Sequence, residues 1–303
     1  MISYVPQDAW GWMIATYLFL GGLGGAVGAL GIGIDRYVKR RPWLGTFSAL
    51  SAFVILSIGS ILLVLDLLQP LKTIYFFRNP GSWIFWGIVF ISGFMAATVI
   101  YAIPNIKEWP LIDRVAPYLA FLDRWQHAAG TVAVVLGFAV TIYTGFLLST
   151  VPAIAFWHSA ALPLLFTVSA FSTGCAYLLL ALWFIPKHNE VWLTEALERT
   201  DAVLIITELI VLGALFNTAR CCPMGASYSM HFLLSKAGFV VGFLLLGLVV
   251  PLAGELYAIF AGHHPKHHKL STTLIPILSI LVIIGGYLLR QYVVQAGVYT
   301  YPW

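Results

Sequence analysis

Eight stretches of this chain are long and apolar enough to cross a bilayer: 10–34, 46–68, 82–104, 126–149, 160–185, 202–219, 236–260 and 272–294. A hydrocarbon core about 30 Å thick takes about 20 apolar residues of helix, and inside it each peptide group must be bonded within its own helix or barrel. The chain is therefore expected to be an all-α integral membrane protein with eight transmembrane helices. Its charge content agrees, since only 9% of 303 residues are charged and 60% are hydrophobic. Soluble domains carry about 25% charged residues. A cytosolic globular enzyme, a nucleic-acid binder and a disordered protein are excluded. The three cysteines cannot build a disulfide framework. The first apolar stretch lacks a basic leader and runs too long for a removable signal peptide, so it is expected to act as its own insertion signal.

Lysine and arginine set the orientation, because they collect on cytoplasmic loops. The loops after helices 1, 3, 5 and 7 hold Arg36, Lys39, Arg40, Arg41, Lys107, Arg114, Arg124, Lys187, Arg199, Lys266 and Lys269. Lys72, Arg78, Arg220, Lys236 and Arg290 fall on or toward the other side. Both termini are thus expected on the outer, periplasmic side. Ten of the eleven tryptophans lie near expected helix ends, as an aromatic belt requires, and Trp303 is on the tail. The mixed segment 107–124 is expected to lie along the interface. The short 150–159 loop suggests a division into two four-helix bundles, residues 1–150 and 151–303.

A protein like this must carry its function on its few intramembrane polar groups. Of the twelve acids, eight fall in loops or helix junctions on the cytoplasmic side and Asp8 lies in the outer N-terminus, leaving Asp66, Glu208 and Glu255 inside helices. An unpaired Asp near the bilayer centre costs roughly 2.5–3.5 kcal/mol on insertion scales, so such a group faces the bundle interior with a partner. Asp66 sits in Leu65-Asp66-Leu67-Leu68-Gln69-Pro70, where Gln69 shares its face. It reads either as a structural helix-end carboxylate or as a proton donor and acceptor at a buried site. Tyr143 on helix 4 and Arg290 on helix 8 fall at the same outer level, as do Trp10, Trp12, Thr16 and Tyr17 on helix 1. A tyrosine near a helix end is commonly an interfacial anchor; its coincidence with Asp66 points to a ligand pocket. Glu208, Glu255 and His127 occupy the inner half, where they suit a proton relay or structural pairing.

Other motifs favour plainer readings. Gly21-Gly22-Leu23-Gly24-Gly25-Ala26-Val27-Gly28 contains two overlapping GxxxG spacings, which let a second helix approach closely. A nucleotide-binding loop is excluded by the setting, since no strand is expected before the run and it lies in the membrane. Transmembrane haem needs histidines facing one another inside a bundle. Here His127, His158 and His231 sit at helix ends, and His188, His263, His264, His267 and His268 in loops. No haem is expected, and the His-rich run reads as a solvated loop, with weak metal binding or proton collection as the alternatives. Cys221-Cys222 and Cys175 lack iron–sulfur or zinc spacing, so no metal site is expected in this protein.

Taken in order, the motifs resemble one family, the NrfD/PsrC type of integral membrane subunit. They are Tyr17-Leu18-Phe19-Leu20-Gly21-Gly22-Leu23-Gly24-Gly25, the Asp66 stretch above, Pro80-Gly81-Ser82-Trp83 with Trp86-Gly87, Tyr143-Thr144-Gly145-Phe146-Leu147-Leu148-Ser149, Leu162-Pro163-Leu164-Leu165-Phe166, and Gly285-Gly286 with Arg290. Each is weak alone; the ordered set spans nearly the whole sequence. The resemblance implies a multi-pass subunit of the inner (cytoplasmic) membrane, without its own redox cofactor, in an anaerobic respiratory oxidoreductase. It would exchange electrons between the quinone pool (menaquinone or ubiquinone) and a ferredoxin-like subunit with several [4Fe–4S] clusters on the outer face. A molybdopterin enzyme or multihaem cytochrome would hold the terminal catalytic site.

On that resemblance, the quinone site is expected from Trp12, Thr16, Tyr17, Asp66, Gln69 and Tyr143. Tyr143 matches the family's quinone-contacting tyrosine and Asp66 its helix 2 carboxylate. Relatives can offer Asn and His on helix 1, where this protein has Met13, Thr16 and Tyr17. Proton transfer is assigned to Asp66, Arg290, Glu208, Glu255 and His127, with proton translocation a further expectation. Two other classes suit the same composition, a proton-coupled secondary transporter and a purely structural anchor. The former is expected to show inverted repeats with interrupted helices, and no repeat is visible.

Overall fold

The computed structural model describes residues 2–66, 81–106, 116–185, 190–221, 225–261 and 268–302. Gln69, residues 107–115 of the interfacial segment and the histidines at 263, 264 and 267 lie outside these residues. The elements are β1 (Ile2–Pro6), α1 (Trp12–Gly33), α2 (Pro42–Asp66), α3 (Trp83–Ala102), α4 (Gln126–Ser149), α5 (Ala161–Phe184), α6 (Val191–Cys221), α7 (Ala226–Ser235), α8 (Val250–Ala261), α9 (His268–Gln295) and β2 (Val298–Pro302). A π-helical turn, Ile34–Val38, extends α1, and a π-helical segment, Gly238–Val249, runs into α8. Eight spans among the described residues are long and apolar enough to cross a membrane, so this is a multi-pass membrane protein. α1 and α5 are the enclosed helices: 78% of the core window of each is buried, against 28–44% for the other six spans.

Helix 6 departs from expectation. The sequence places its apolar run over 202–219, but the helix starts at Val191. Leu193, Leu197, Asp201, Ile205, Glu208, Leu212 and Leu215 recur every three to four residues and form its buried stripe. Glu195 and Arg199 face outward as an i,i+4 pair at 3.6 Å. The charges that read as loop are the two faces of one helix. Glu198 and Asp201, placed in a cytoplasmic junction by the sequence, are buried helical residues. α7 is a further short helix in what the sequence suggests is loop.

The protein divides into two units, one of Leu20–Tyr143 and one of Met1–Phe19 with Thr144–Trp303. In the first, glycines of α1 bring its neighbours close. A Cβ at Gly25 would stand 2.8 Å from the Gly137 carbonyl of α4, and one at Gly28 would stand 2.5 Å from the Phe94 ring of α3. The GxxxG run is a packing surface here.

In the second unit α5 packs against α6 and α9, and α9 against the π segment. Gly247 and Gly285 bring those last two backbones together; a Cβ on either would meet the other's Cα at 2.7 Å. The π pitch ends where Pro251 enters the helix, with Val250 donating back five residues to Leu245. Proline has no N–H to continue either ladder, which suits a change of pitch at that point. β1 and β2 pair antiparallel, Ile2 opposite Pro302 and Pro6 opposite Val298, so both ends of the polypeptide lie together. That agrees with an even number of spans. Trp157, expected in the aromatic belt, is instead buried and donates from Nε1 to the Val293 carbonyl at 2.9 Å. Trp12, Trp83, Trp86, Trp125 and Trp183 are exposed, as belt residues are.

Candidate functional site

In the Leu20–Tyr143 unit, alternating spans place the end of α2, the start of α3 and the end of α4 on one side of the membrane. Tyr143, six residues from the end of α4, is 4% exposed. The hydroxyl end of its ring lies against Gly87 of α3: a Cβ there would overlap the Tyr143 Cζ and hydroxyl oxygen. Only glycine leaves this room, so α3 fixes the level and direction of the phenol. Asp66 is the last residue of α2, helical and partly exposed. At the opposite side of the same unit, His127 opens α4 and is exposed, its Nδ1 accepting from Arg36 Nη1 at 2.5 Å.

Apart from Gln69, which lies outside the described residues, the other residues assigned to the ligand pocket lie at the start of α1. Trp12 is 55% exposed, Thr16 donates its hydroxyl to the Trp12 carbonyl at 2.7 Å, and Tyr17 is buried.

The second unit holds a buried polar line that the sequence showed only in part. Arg290 of α9 is completely buried. Its Nη1 donates to the Gly286 carbonyl at 2.7 Å and to Ser169 Oγ of α5 at 3.2 Å, and its Nη2 donates to the Phe166 carbonyl at 3.0 Å. The rings of Phe19 and Phe166 lie 5.7 and 5.2 Å from its Cζ. Gly286 makes this contact possible, since a Cβ there would meet Thr173 of α5 at 2.4 Å. Glu208 of α6, also buried, neighbours both Ser169 and the guanidinium. Seven residues toward the start of α6, about 10 Å along the axis, Asp201 lies beside Ser172 of α5 and Glu255 of α8. Glu255 in turn neighbours Glu198.

Neither carboxyl oxygen of Asp201 has a well-aligned hydrogen bond among the described residues, nor do Glu208 Oε1, Glu255 Oε2 and Arg290 Nε. Buried polar atoms left this way are costly and mark places where a proton or water completes the network. Two carboxylates side by side repel each other; one proton between Asp201 and Glu255 removes the repulsion and supplies a donor. Glu198 and Glu255 also line a cavity of about 10 Å³, on the scale of a single water.

The structure therefore joins Glu208, Glu255 and Arg290 in one line and adds Asp201, Glu198, Ser169 and Ser172. The four-residue repeat from Leu193 to Asp201 was the signal for Asp201. Among the described residues no group of three His, Cys, Asp or Glu side chains comes together as a metal site.

Comparison with known proteins gives a near full-length match. The family described as "Polysulphide reductase, NrfD" matches residues 4–302. The C subunit of the polysulfide reductase of Wolinella succinogenes is 28% identical, the alignment covering 95% of this protein and 94% of that one. A protein NrfD homolog of Haemophilus influenzae is 25% identical over 98% and 97% of the two sequences. Protein NrfD of Escherichia coli is 26% identical over 80% and 83%.

Proposed function

Because the protein belongs to the polysulphide reductase NrfD family, we propose that it is the quinone-reactive membrane subunit of a respiratory oxidoreductase. It exchanges electrons between the quinone pool and a peripheral iron–sulfur subunit on the periplasmic side of the cytoplasmic membrane. The terminal catalytic site, molybdopterin or multihaem, belongs to another subunit. The observation that carries this reading is Tyr143, a buried phenol held against Gly87 on the same side of the membrane as Asp66.

Oxidation of a quinol to the quinone releases two electrons and two protons, so the protein must bond both ring oxygens and give the protons an exit. The Tyr143 hydroxyl bonds one ring oxygen. Asp66 takes a proton at its carboxylate, and its partial exposure gives that proton access to water. Trp12, Thr16, Tyr17 and Gln69 are the further residues assigned to quinone binding. With the Thr16 hydroxyl bonded to its own helix, Thr16 contributes shape more than a donor. The electrons pass to the partner's [4Fe–4S] clusters.

Arg290, Glu208, Asp201 and Glu255 form a separate proton route within the second unit. Intramembrane carboxyls bear a cost that plain packing does not require, and carboxyl, hydroxyl and guanidinium groups alternate along this line. His127 is the ionisable group on the inner side of the first unit. The two-bundle division at residues 150 and 151, with the quinone site in the first bundle, is part of the same proposal.

The test is quinol kinetics on the purified complex. Tyr143→Phe and Asp66→Asn should each lower quinol-dependent turnover by roughly 10- to 100-fold, the loss of one strong hydrogen bond, with subunit composition unchanged. Unaltered kinetics in both variants would overturn the assignment.

A further inference from the structure

At the far side of the Leu20–Tyr143 unit from Tyr143, a cavity of about 260 Å³ opens where α1 turns into α2. Its walls are polar. The guanidinium groups of Arg36 and Arg40 line it, and among the described residues of the wall Asp35 is the carboxylate. That carboxylate is already committed, since Asp35 Oδ2 accepts from the Tyr101 hydroxyl and Oδ1 from the Arg41 backbone N–H. Both bonds come from groups other than the two guanidinium groups, and Arg36 Nε is buried without a hydrogen bond among the described residues.

The surroundings are built to hold these groups still. A Cβ at Gly45 of α2 would strike the Tyr101 hydroxyl at 2.2 Å, and one at Gly130 of α4 would strike Arg36 Cδ at 2.5 Å. Gln126 donates to the Asn105 side chain at 3.0 Å, and Asn105 donates to Thr46 Oγ1 at 2.8 Å, which ties α4, α3 and α2 around the opening. Arg36 Nη1 is steadied by the acceptor nitrogen of His127. Fixed forks of N–H donors facing a roomy polar cavity are the arrangement that takes a phosphate-type oxyanion, because guanidinium bonds two of its oxygens at once.

We propose that this cavity binds the phosphate headgroup of an anionic membrane lipid. The cavity lies at the membrane boundary, between the end of the first span at Val38 and the start of the second at Pro42. Beside it Tyr37 and Val38 are 61% and 69% exposed, apolar surface that suits the glycerol and upper acyl region. A soluble anion would use the cations and leave that surface uncovered. The proposal is independent of quinone chemistry and involves none of the residues assigned to the quinone pocket.

The test uses the purified full-length protein in detergent, with three probes: phosphatidylglycerol, phosphatidylcholine and inorganic phosphate. Native mass spectrometry reads retained lipid, and thermal unfolding reads protection. The wild type should retain and be protected by phosphatidylglycerol over phosphatidylcholine. Arg36→Gln with Arg40→Gln should weaken that binding by about tenfold or more, while Arg220→Gln, at an exposed arginine elsewhere, should leave it unchanged. Because Arg36 also bonds His127, Arg40→Gln alone keeps the test open if the double variant folds poorly, and it should show a smaller loss in the same direction. Protection by inorganic phosphate without phosphatidylglycerol retention would overturn the lipid assignment. Equal retention in wild type and the Arg36 and Arg40 variants would overturn the site.

Discussion

Gly87→Ala is the smallest change that should disable Tyr143. The added methyl would overlap the phenol ring, and overpacking of this kind costs about 1–3 kcal/mol while moving the ring aside. The variant should reach the membrane and assemble, yet show the quinol defect of Tyr143→Phe. Normal turnover in Gly87→Ala would mean that the phenol's position is not what the site uses. Arg290 allows a sharper test, since two of its hydrogen bonds hold it to α5 and a third to the Gly286 carbonyl of its own helix, while Glu208 lies nearby. Removing one partner of a buried charged set costs about 3–5 kcal/mol, mostly through the group left behind. Arg290→Met should therefore lower the unfolding temperature strongly, and adding Glu208→Gln should recover part of the loss. Strict additivity would show that the two groups do not sense each other.

The elements show what a sequence of this kind makes legible. Eight spans were readable because crossing a bilayer demands length and apolarity, and their ends agree with the structure to within a few residues except in α6. There the opening turns combine an outward Glu195 and Arg199 with an inward Glu198 and Asp201. A window that averages charge sees only a polar stretch; the angular spacing of Leu193, Leu197 and Asp201 carries the missing information. Arg290 is visible in the sequence as an intramembrane charge, but its partners on α5 are not, because a serine hydroxyl and a helix carbonyl leave no pattern in a sequence. The terminal ribbon was missed although Ile2–Pro6 and Val298–Pro302 are rich in β-branched and aromatic residues. Long-range pairing is not written in either segment alone. For α6 the functional test is proton stoichiometry. In vesicles holding the whole complex, Glu208→Gln and Asp201→Asn should lower proton movement per electron. Equal turnover and equal stoichiometry in both would leave the buried carboxyls structural.

At the scale of the molecule, the orientation expected from the basic loops would put the Cys221 end of α6 outside. A membrane-impermeant maleimide should label exposed Cys221 in a Cys222→Ser background from the periplasmic side, whereas buried Cys175 stays silent. Labelling only after the membrane is opened would invert the topology. The subunit purified away from its partners should show no haem Soret band and no stoichiometric iron. The central claim is that this protein passes electrons between quinol and an iron–sulfur partner. The most direct measurement is quinol-driven reduction of the iron–sulfur clusters, followed in the intact purified complex and again after the peripheral subunits are stripped and rebound. Quinol should reduce the clusters in the intact complex, fail to do so on stripping and do so again on rebinding, with a defect in Tyr143→Phe at every stage. Clusters that quinol reduces just as fast without this subunit, or a complex inert toward every quinol, would contradict it.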